Sequence, residues 1–322
     1  MHYDAVVLGG GQSGLATAYY LRKARVSFVV LDDQDAPGGA WRHVWPSMTL
    51  FSTSDFSNLP GWPMPHYDGF PPARHVTDYL SAYEKRYDLP VERPVHVDRV
   101  THDGGRFVVR AGERTWTADC VAAATGTWSA PFIPSYPGTF AGQQWHSARY
   151  PGVEPFRGSK VAVVGAANSG AQIAAELTEV AEVTWYTRHK PRWMPDDVDG
   201  RVLFHRNRQR ALALVRGEPD PGTDTTLGDI VALPGVRAAR DSGRLVATPM
   251  FRSLDGVDAD HLIWCTGFRP ALGPVRGLMG EDVPGLFFVG YGDWVGPGAA
   301  TIMGVGPFAK RAAERVAARL SA

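Results

Sequence analysis

The sequence predicts an α/β fold built from two dinucleotide-binding, Rossmann-like units. Two glycine-rich turns carry this prediction, at 9–14 and 165–170, and each follows an apolar strand and precedes a helix-forming stretch. A third observation agrees with it. After each unit the chain returns to an apolar strand that ends in a small-residue turn, first at Ala124-Thr125-Gly126 and later at Cys265-Thr266-Gly267-Phe268. Strand–turn–helix units of this kind form parallel sheets covered by helices.

The first turn follows the apolar run after Asp4 and reads Gly9-Gly10-Gly11-Gln12-Ser13-Gly14. Its glycines fit GxGxxG, in which one closes the turn, one lets backbone approach a pyrophosphate, and one packs the helix against the strand. A helix is expected from Leu15 to about Ala24, and its free N–H groups favour phosphate. A glycine-rich turn that binds nothing is the alternative.

Two features after this helix point to the rest of a nucleotide. A second strand, Ser27–Leu31, ends in Asp32-Asp33, where a carboxylate binds the ribose hydroxyls in such folds. In Pro37–Trp41, Gly39 allows backbone to approach a flat ligand that Trp41 can cover. An ordinary turn with a tryptophan in the core is the alternative for this segment.

The next stretch combines loops, one helix and short strands. Residues 45–67, rich in Pro, Ser and aromatics, predict an ordered loop of the kind that lines a site. Helical apolar spacing follows at Arg74–Tyr87. Short strands are expected at Val95–Val97, Phe107–Arg110 and Thr115–Val121, the last leading into a buried strand that ends at Gly126. The proline-rich residues 128–158 are expected to cross between the two units.

The opening pattern then returns. A strand at Lys160–Val164 leads into Gly165-Ala166-Ala167-Asn168-Ser169-Gly170, in which Ala167 replaces the middle glycine. A helix is expected at Ala171–Val180 and a strand at Val183–Tyr186. Two nucleotide folds in one chain predict two dinucleotides, one a flavin and one a nicotinamide.

The residues after the second unit's strand indicate which nicotinamide nucleotide binds. Arg188-His189-Lys190 stands where a carboxylate would bind an unphosphorylated ribose. A 2′-phosphate needs cations at this place, so Arg188 favours NADPH, with NADH left open. A solvated basic turn is the alternative.

The last third of the chain predicts a helix at Arg201–Arg216, to which no ligand is assigned, and three strands. Those strands are expected at Leu245–Phe251, His261–Trp264 and Gly285–Gly290. Asp293 follows the last strand and is a candidate for the ribityl chain of the flavin. Gly298–Thr301 is expected to open a helix running to Leu320, whose positive N-terminal end would stabilise a reduced flavin.

Composition excludes several function classes. The 33 basic and 33 acidic residues give a formal charge of zero, which does not favour nucleic acid or an anionic membrane. The two cysteines, Cys120 and Cys265, form no CxxC, so neither a redox dithiol nor a cysteine zinc site is expected. No apolar run approaches the length of a membrane helix, and a cytoplasmic protein is expected. A small-molecule substrate is expected, and a homodimer is left open.

One further stretch resembles a known family. Phe140-Ala141-Gly142-Gln143-Gln144-Trp145-His146-Ser147-Ala148-Arg149-Tyr150 fits FxGxxxHxxxY and lies immediately before the second nucleotide fold. It resembles the signature of class B flavin monooxygenases, the flavin-containing monooxygenase and Baeyer–Villiger group. Four other stretches look like its short bacterial branch, which includes flavin monooxygenases assigned to arsenic resistance: Leu59–Pro65, Asp196–Phe204, Trp264–Pro270 and Gly290–Trp294.

The resemblance implies an FAD-binding domain at residues 1–150 and 270–322 with an NADPH-binding domain, 151–269, inserted into it. It implies sulfoxidation, N-oxygenation or Baeyer–Villiger oxidation of ketones through a C4a-hydroperoxyflavin. Larger relatives carry an Asn beside the flavin where this sequence has Phe51, which predicts a short-lived intermediate and leakage of H₂O₂. An NADPH oxidase or flavin reductase, and a flavin redox sensor without turnover, are the alternatives.

No catalytic acid or base and no metal ligand is assigned. The residues expected to bind the two cofactors are Gly9, Gly11, Gln12, Ser13, Gly14, Asp32, Asp33, Gly39, Trp41, Met48, Val97, Thr125, Gly126, Asp293, Thr301, Gly165, Asn168, Ser169, Gly170, Arg188, His189, Thr266 and Gly267.

Overall fold

Two β-sheets with helices packed against them make up the structure, a computed structural model that describes residues 1–197, 200–222, 228, 230–280 and 282–321. The strands are β1 (His2–Leu8), β2 (Phe28–Leu31), β3 (Val91–Glu92), β4 (Arg99–Asp103), β5 (Arg106–Ala111), β6 (Arg114–Ala123), β7 (Gln143–His146), β8 (Lys160–Val164), β9 (Glu182–Thr187), β10 (Ala247–Pro249), β11 (His261–Trp264) and β12 (Leu286–Phe288). The α-helices are α1 (Gln12–Lys23), α2 (Ala73–Arg86), α3 (Asn168–Leu177), α4 (Gly200–Arg216), α5 (Pro234–Asp241) and α6 (Gly306–Leu320).

The first sheet has the order β3-β2-β1-β6-β5-β4, and β12 also pairs with β6. Its β1 is parallel to both β2 and β6, whereas β4, β5 and β6 form an antiparallel meander. The apolar run of β1 is buried on both faces, as central parallel strands are. Ala5 and Val7 pack into the core beneath α1, α2 and α6, while Val6 and Leu8 pack into the core beneath the meander.

The second sheet is wholly parallel, with the order β10-β9-β8-β11-β7. Alternate residues of β8 and β11 again enter two cores. Val161 and Val163 face the core that contains α3 and α5, whereas Ala162 and Val164 face a smaller core that contains Trp264. The predicted α/β class with two parallel nucleotide-type units is confirmed.

Most predicted elements form close to their expected bounds, with three differences. Val95–Val97 is not a strand, because its only backbone bond to the sheet runs from Val95 N to Asp32 O, at 2.7 Å; the first meander strand is β4 instead. The crossing at 128–158 contains β7, which forms an edge of the second sheet by pairing with β11.

The C-terminal helix is the third difference, because α6 begins at Gly306 rather than within 298–301. A turn precedes it, in which the Thr301 hydroxyl donates to Gly298 O at 2.8 Å and accepts from Gly304 N at 3.0 Å. Pro307 stands in the first turn of α6, where proline favours a helix start.

Helix α4 packs against the first sheet's helical layer, although the sequence places it within the expected nicotinamide unit. Ala211 is fully buried in the core beneath α1 and α6, and a Cβ on Gly298 would lie 3.1 Å from Asn207 Cβ. Of the stretch 196–204 that carries part of the family resemblance, Val198 and Asp199 lie outside the described residues. None of the helices in the described ranges is long and apolar enough to cross a membrane.

Candidate functional site

Both glycine-rich turns have the same internal geometry. Gly9 has φ +100°, and a Cβ there would lie 2.6 Å from Ala124 O. In the second turn Gly165 has φ +131°, and a Cβ would lie 2.3 Å from Cys265 O. These first glycines are therefore required by the strand that follows each unit, since any side chain would collide with its terminal carbonyl.

The last glycine of each turn is also fixed by the protein's own packing. A Cβ on Gly14 would lie 1.8 Å from Gly9 O, and one on Gly170 would lie 2.1 Å from Gly165 O. In both units the last glycine therefore allows the helix to pack closely against the start of the turn, as the GxGxxG pattern predicts. Gly14 lies beneath the turn and does not contact a ligand site directly.

Gly11, the middle glycine of the first turn, is different. A Cβ there would meet only Gly39 Cα, at 3.9 Å, so among the residues that the structure describes no atom excludes a Cβ at this position. Gly11 borders a cavity of about 360 Å³ at the N-terminus of α1. The space above this glycine is therefore available to a ligand, as a pyrophosphate site requires.

The cavity extends along the ends of β1, β2 and β6. Twelve of the predicted site residues line it: Gly9, Gly11, Gln12, Ser13, Asp32, Asp33, Gly39, Trp41, Met48, Val97, Thr125 and Gly126. The sequence reasoning missed other lining residues, among them Gln34, Val95, His96, Trp128 and Ala300. His96 had a sequence signal, since it is the exposed residue between two buried valines.

Trp41 and Gln12 hold one wall of the cavity through a chain of hydrogen bonds. Trp41 Nε1 donates to Gln12 Oε1 at 2.8 Å, and Gln12 Nε2 donates to Ala300 O at 2.6 Å. This chain joins the turn after β2, the start of α1 and the segment before α6. The indole therefore has a fixed orientation beside the cavity.

Asp32 is 3% exposed at its side chain, and its Oδ2 accepts from Arg93 Nε at 2.6 Å. The remaining guanidinium nitrogens of Arg93 donate to both carboxylate oxygens of Glu84, at 2.7 and 2.8 Å. Burial alone would lower the pKa of Arg93, but the hydrogen bonds to Glu84 and Asp32 outweigh it and raise that pKa. Asp33 lies beside this ion cluster and is exposed.

Thr125 lines the cavity, but its hydroxyl is used by the protein. Thr125 Oγ1 donates to Ala271 O at 2.7 Å, and the buried Tyr291 hydroxyl lies 2.7 Å from the same oxygen. Burial raises the pKa of Tyr291, which keeps its hydroxyl protonated. Thr125 and Gly126 both line the cavity, but the Thr125 hydroxyl is already hydrogen-bonded within the protein.

Besides Gly14, two predicted flavin contacts lie outside the lining of this cavity. Asp293 is exposed on a short 3₁₀ turn, Gly292–Trp294. It lies near Arg210 of α4, whose pKa is raised mainly by its hydrogen bond to Asp220 and further by the charge of Asp293. Thr301 closes the turn before α6 with its hydroxyl. Their neighbour Ala300 lines the cavity instead.

At the second turn, the side chain of Asn168 is turned toward the protein. Its Oδ1 accepts from Val231 N at 2.9 Å, so it anchors the segment before α5. Trp185 Nε1 donates to Gly165 O at 2.7 Å from beneath the turn. Ser169 lies in the first turn of α3, where its backbone remains near the helix N-terminus.

The remaining predicted residues of the second unit divide into exposed and structural groups. Arg188 and His189 are exposed just after β9, and Arg188 has no ion-pair partner within the described ranges. Thr266 donates from its hydroxyl to Phe132 O at 2.5 Å. Gly267 accepts a hydrogen bond from His146 at its carbonyl.

The stretch that fits FxGxxxHxxxY contains β7, and its motif residues make contacts within the protein. His146 is 4% exposed; its Nε2 lies 3.1 Å from Gly267 O, and its Nδ1 accepts from Ala148 N at 3.1 Å. These partners require a proton on Nε2 only. Burial lowers the pKa of His146, which keeps the ring neutral. A Cβ on Gly142 would lie 2.2 Å from Asp260 O, so that glycine is required by packing.

The aromatic loop after Trp41 packs against the second sheet. Trp45 is buried in that sheet's core, and the Ser47 hydroxyl donates to Glu176 of α3. Phe51 stacks on Phe204 of α4, with ring centres 5.7 Å apart and planes 9° apart. The residue expected at the Asn position of larger relatives therefore faces an aromatic ring.

Neither cysteine can act as a redox dithiol. Both are free and buried, and burial raises the pKa of Cys120 to about 11 and that of Cys265 to about 12. Thiols with such values are protonated near neutral pH and are poor nucleophiles.

Comparisons with known proteins agree with this arrangement. The model of the pyridine nucleotide-disulphide oxidoreductase family matches residues 6–218. A solved flavin-containing monooxygenase from Stenotrophomonas maltophilia is 44% identical, with a TM-score of 0.88 and coverage of 98% of both chains.

Two curated relatives extend the comparison. A CzcO-like oxidoreductase from Geobacillus kaustophilus is 27% identical over 94% of this chain and 95% of its own length. A Baeyer–Villiger monooxygenase from Streptomyces coelicolor is 31% identical over 67% of this chain and 44% of its own length. The chain thus spans less than half of that second relative.

Proposed function

This chain belongs to the pyridine nucleotide-disulphide oxidoreductase family and is a flavin monooxygenase within it. From that premise we propose that its flavin is FAD, held in the cavity that the first turn borders. The observation that carries this proposal is the open space above Gly11 at the N-terminus of α1. At the other glycines of the two turns, atoms of the protein lie too close to allow a side chain. At Gly11 they do not, so a bound ligand is the reason that we propose for a glycine at this position.

The cavity's residues fit a dinucleotide better than a mononucleotide. Backbone N–H groups at the start of α1 suit a pyrophosphate. Residues on both sides of this turn line the cavity: Asp32 and Val95–Val97 on one side, and Met48, Thr125 and Gly126 on the other. A carboxylate at Asp32 suits the hydroxyls of an adenosine ribose.

The nicotinamide nucleotide is proposed to be NADPH, bound over the second turn. Its unit comprises the expected residues 151–269 together with β7, which pairs with β11, whereas α4 packs against the FAD unit formed by the rest of 1–150 and by 270–322. Support comes from Arg188, an exposed cation at the end of β9 that is not paired with any described carboxylate. Ala167 places a methyl group at the position that Gly11 has in the first turn. The side-chain oxygen of Asn168 already accepts a hydrogen bond from Val231 N. The proposed phosphate contacts at this site are therefore backbone groups together with Arg188.

When bound, the flavin accepts a hydride from the nicotinamide and activates O₂, so that one oxygen atom enters the substrate and the other leaves in water. The protein's residues hold the ligand and shape its surroundings. Trp41 and Gln12 fix one wall, and Met48 of the aromatic loop contributes an apolar side chain to the lining. Such apolar enclosure excludes water from the reacting groups.

The proposed substrates are soft nucleophiles, such as sulfides and amines, and ketones. Neither kind requires a protein base to form the new bond to oxygen. This agrees with His146, whose pKa is lowered by burial and whose two ring nitrogens are used by backbone partners within the protein. The Baeyer–Villiger relative supports including ketones.

The test measures three quantities in one reaction: NADPH-dependent O₂ uptake, H₂O₂ yield and oxygenated product, over a panel of sulfides, amines and ketones. We expect the amount of oxygenated product to match the O₂ consumed minus the H₂O₂ formed. Complete conversion of O₂ to H₂O₂ with every substrate would identify an oxidase. Bound flavin without O₂ uptake would identify a sensor.

A further inference from the structure

We propose that Arg93 is a positioning residue for the cofactor: it holds Asp32 by one carboxylate oxygen and leaves the other to bind the adenosine ribose of FAD. This inference rests on the proposed identity of FAD in the cavity. It assigns a cofactor-binding role to a residue that lies outside the lining of that cavity.

The division of the Asp32 carboxylate follows from the hydrogen bonds. Arg93 Nε donates to Oδ2 at 2.6 Å, and within the described part of the chain no group donates to Oδ1. Asp32 lines the cavity, so Oδ1 is the oxygen free to accept from a ligand hydroxyl. A carboxylate held at one oxygen loses less conformational freedom on binding than one that rotates freely.

Glu84 fixes Arg93 in turn. Its two oxygens accept from both terminal nitrogens of the guanidinium at 2.7 and 2.8 Å, the paired geometry that orients an arginine most firmly. The exposed fractions of the three side chains are 10% for Arg93, 3% for Asp32 and 16% for Glu84. Because buried charges are costly to leave unpaired, this arrangement resists rotation of Asp32.

Gly10 gives an independent indication that the cluster matters to the turn. A Cβ on Gly10 would lie 2.6 Å from Asp32 Oδ2 and 2.8 Å from a terminal nitrogen of Arg93. Gly10 occupies a position that GxGxxG leaves unrestricted. The glycine found there is therefore explained by the ion pair beneath it, which lies directly under the segment that approaches the pyrophosphate.

The charge of the cluster also suits an unphosphorylated ribose. One guanidinium between two carboxylates leaves a net charge of −1 beside the cavity. Neutral ribose hydroxyls can donate to it, whereas a phosphate on the same ribose would be repelled. This contrasts with the exposed Arg188 of the second unit, so the two sites differ in the ribose that they favour.

The experiment compares ligands that do and do not carry the adenosine ribose. Full-length protein freed of flavin is titrated with FAD, FMN and ADP, for the wild type and for Arg93→Gln. Losing a charged hydrogen bond predicts about a ten- to hundredfold rise in Kd for FAD and ADP. The Kd for FMN should stay within about twofold, since FMN lacks the adenosine ribose.

Three further variants keep the test decisive if Arg93→Gln folds poorly. Glu84→Gln retains the bond between Arg93 and Asp32 and should raise the Kd for FAD about three- to tenfold, with FMN unchanged. Arg93→Lys should recover part of the lost affinity for FAD, because lysine keeps the positive charge but lacks the paired N–H donors of the guanidinium. Arg114→Gln, which removes an exposed arginine paired with Glu92, is the matched control and should change neither Kd.

Equal weakening of FAD and FMN would show that Arg93 only supports the local fold and would overturn the inference. So would normal FAD binding in Arg93→Gln. A wild-type protein that binds neither FAD nor ADP would overturn the proposed cofactor together with the inference, and is thereby distinguished from a failure of Arg93 alone.

Discussion

Single residues at the first turn separate two reasons for a glycine. Gly9 and Gly14 are required because carbonyl oxygens of the protein occupy the space of a side chain, 2.6 and 1.8 Å from the Cβ position. Gly11 has no such neighbour. A sequence pattern cannot distinguish these causes, since all three positions read as glycine, but substitutions can.

Gly11→Leu should give a folded protein that has lost flavin, because the side chain would fill ligand space without colliding with the protein. Near-unchanged thermal unfolding of the apoprotein, together with loss of flavin absorbance, is the expected pair of results. Gly235→Leu, at an exposed position with no atom within 4 Å, is the control and should retain flavin. Retained FAD in Gly11→Leu would place the cofactor elsewhere.

Arg188→Gln should reduce kcat/KM for NADPH by about ten- to a hundredfold and leave NADH nearly unchanged, because a charged hydrogen bond contributes about 1.5–3 kcal/mol. Steady-state kinetics with both coenzymes measures this. Arg157→Gln, at an exposed arginine paired with Glu154, should alter neither. Equal loss with both coenzymes would make Arg188 structural, and no loss with either would assign the phosphate to His189 or Lys190.

At the scale of secondary structure, elements with strong apolar periodicity form where the sequence predicts them. The differences arise where pairing with another strand determines whether a segment becomes a strand. Val95 and Val97 alternate with exposed residues as a strand does, yet β2 ends before them and offers one backbone bond. Conversely, β7 lies in a proline-rich crossing and becomes a strand because β11 provides a parallel edge. Local sequence carries no information about which edge is free.

Helix α4 brings Phe204 onto Phe51, the position at which the family resemblance expects an asparagine beside the flavin. An asparagine at position 51 would face the ring of Phe204. Stacked aromatic pairs contribute about 0.5–1.5 kcal/mol beyond their burial, so this contact restrains the residue at 51.

Phe51→Asn should lower the fraction of O₂ released as H₂O₂, since an amide can donate a hydrogen bond that a phenyl ring cannot. The H₂O₂ yield per NADPH oxidised, measured with a sulfide present, tests this. Phe51→Leu is the control, because it removes the aromatic stack without adding an amide. A similar fall in both variants would attribute the effect to the lost stack with Phe204.

At the scale of the whole molecule, the aromatic loop contacts helices of both units: the Ser47 hydroxyl donates to Glu176 of α3, and Phe51 stacks on Phe204 of α4. Within the second sheet, His146 of β7 bonds Gly267 O, just after β11. The histidine is the titratable one of these with a pKa lowered by burial. Its neutral form is therefore favoured in the folded state.

Because the folded-state pKa of His146 lies below its unfolded value of about 6.5, its contribution to stability is full above that pH. It is lost as the pH falls from about 6.5 through the folded pKa, where the unfolded chain binds the proton first. His146→Gln should flatten the decline of the unfolding free energy in this window. Denaturant unfolding from pH 5 to 8 measures it, with the exposed His66→Gln as control. An unchanged slope in His146→Gln would contradict the assignment.

The sequence by itself determined the two nucleotide-type units, the glycines that close their turns, the absence of a cysteine dithiol and the resemblance to flavin monooxygenases. These follow from local spacing and residue chemistry, which a linear pattern contains. Only the tertiary structure decided that Asn168 and the hydroxyls of Thr125, Thr266 and Thr301 serve the protein's own hydrogen bonds, that Asp293 lies outside the cavity, and that Arg93 and Glu84 hold Asp32. Such partners are distant in sequence, and a side chain's available bonds are settled by whichever buried groups the fold brings beside it.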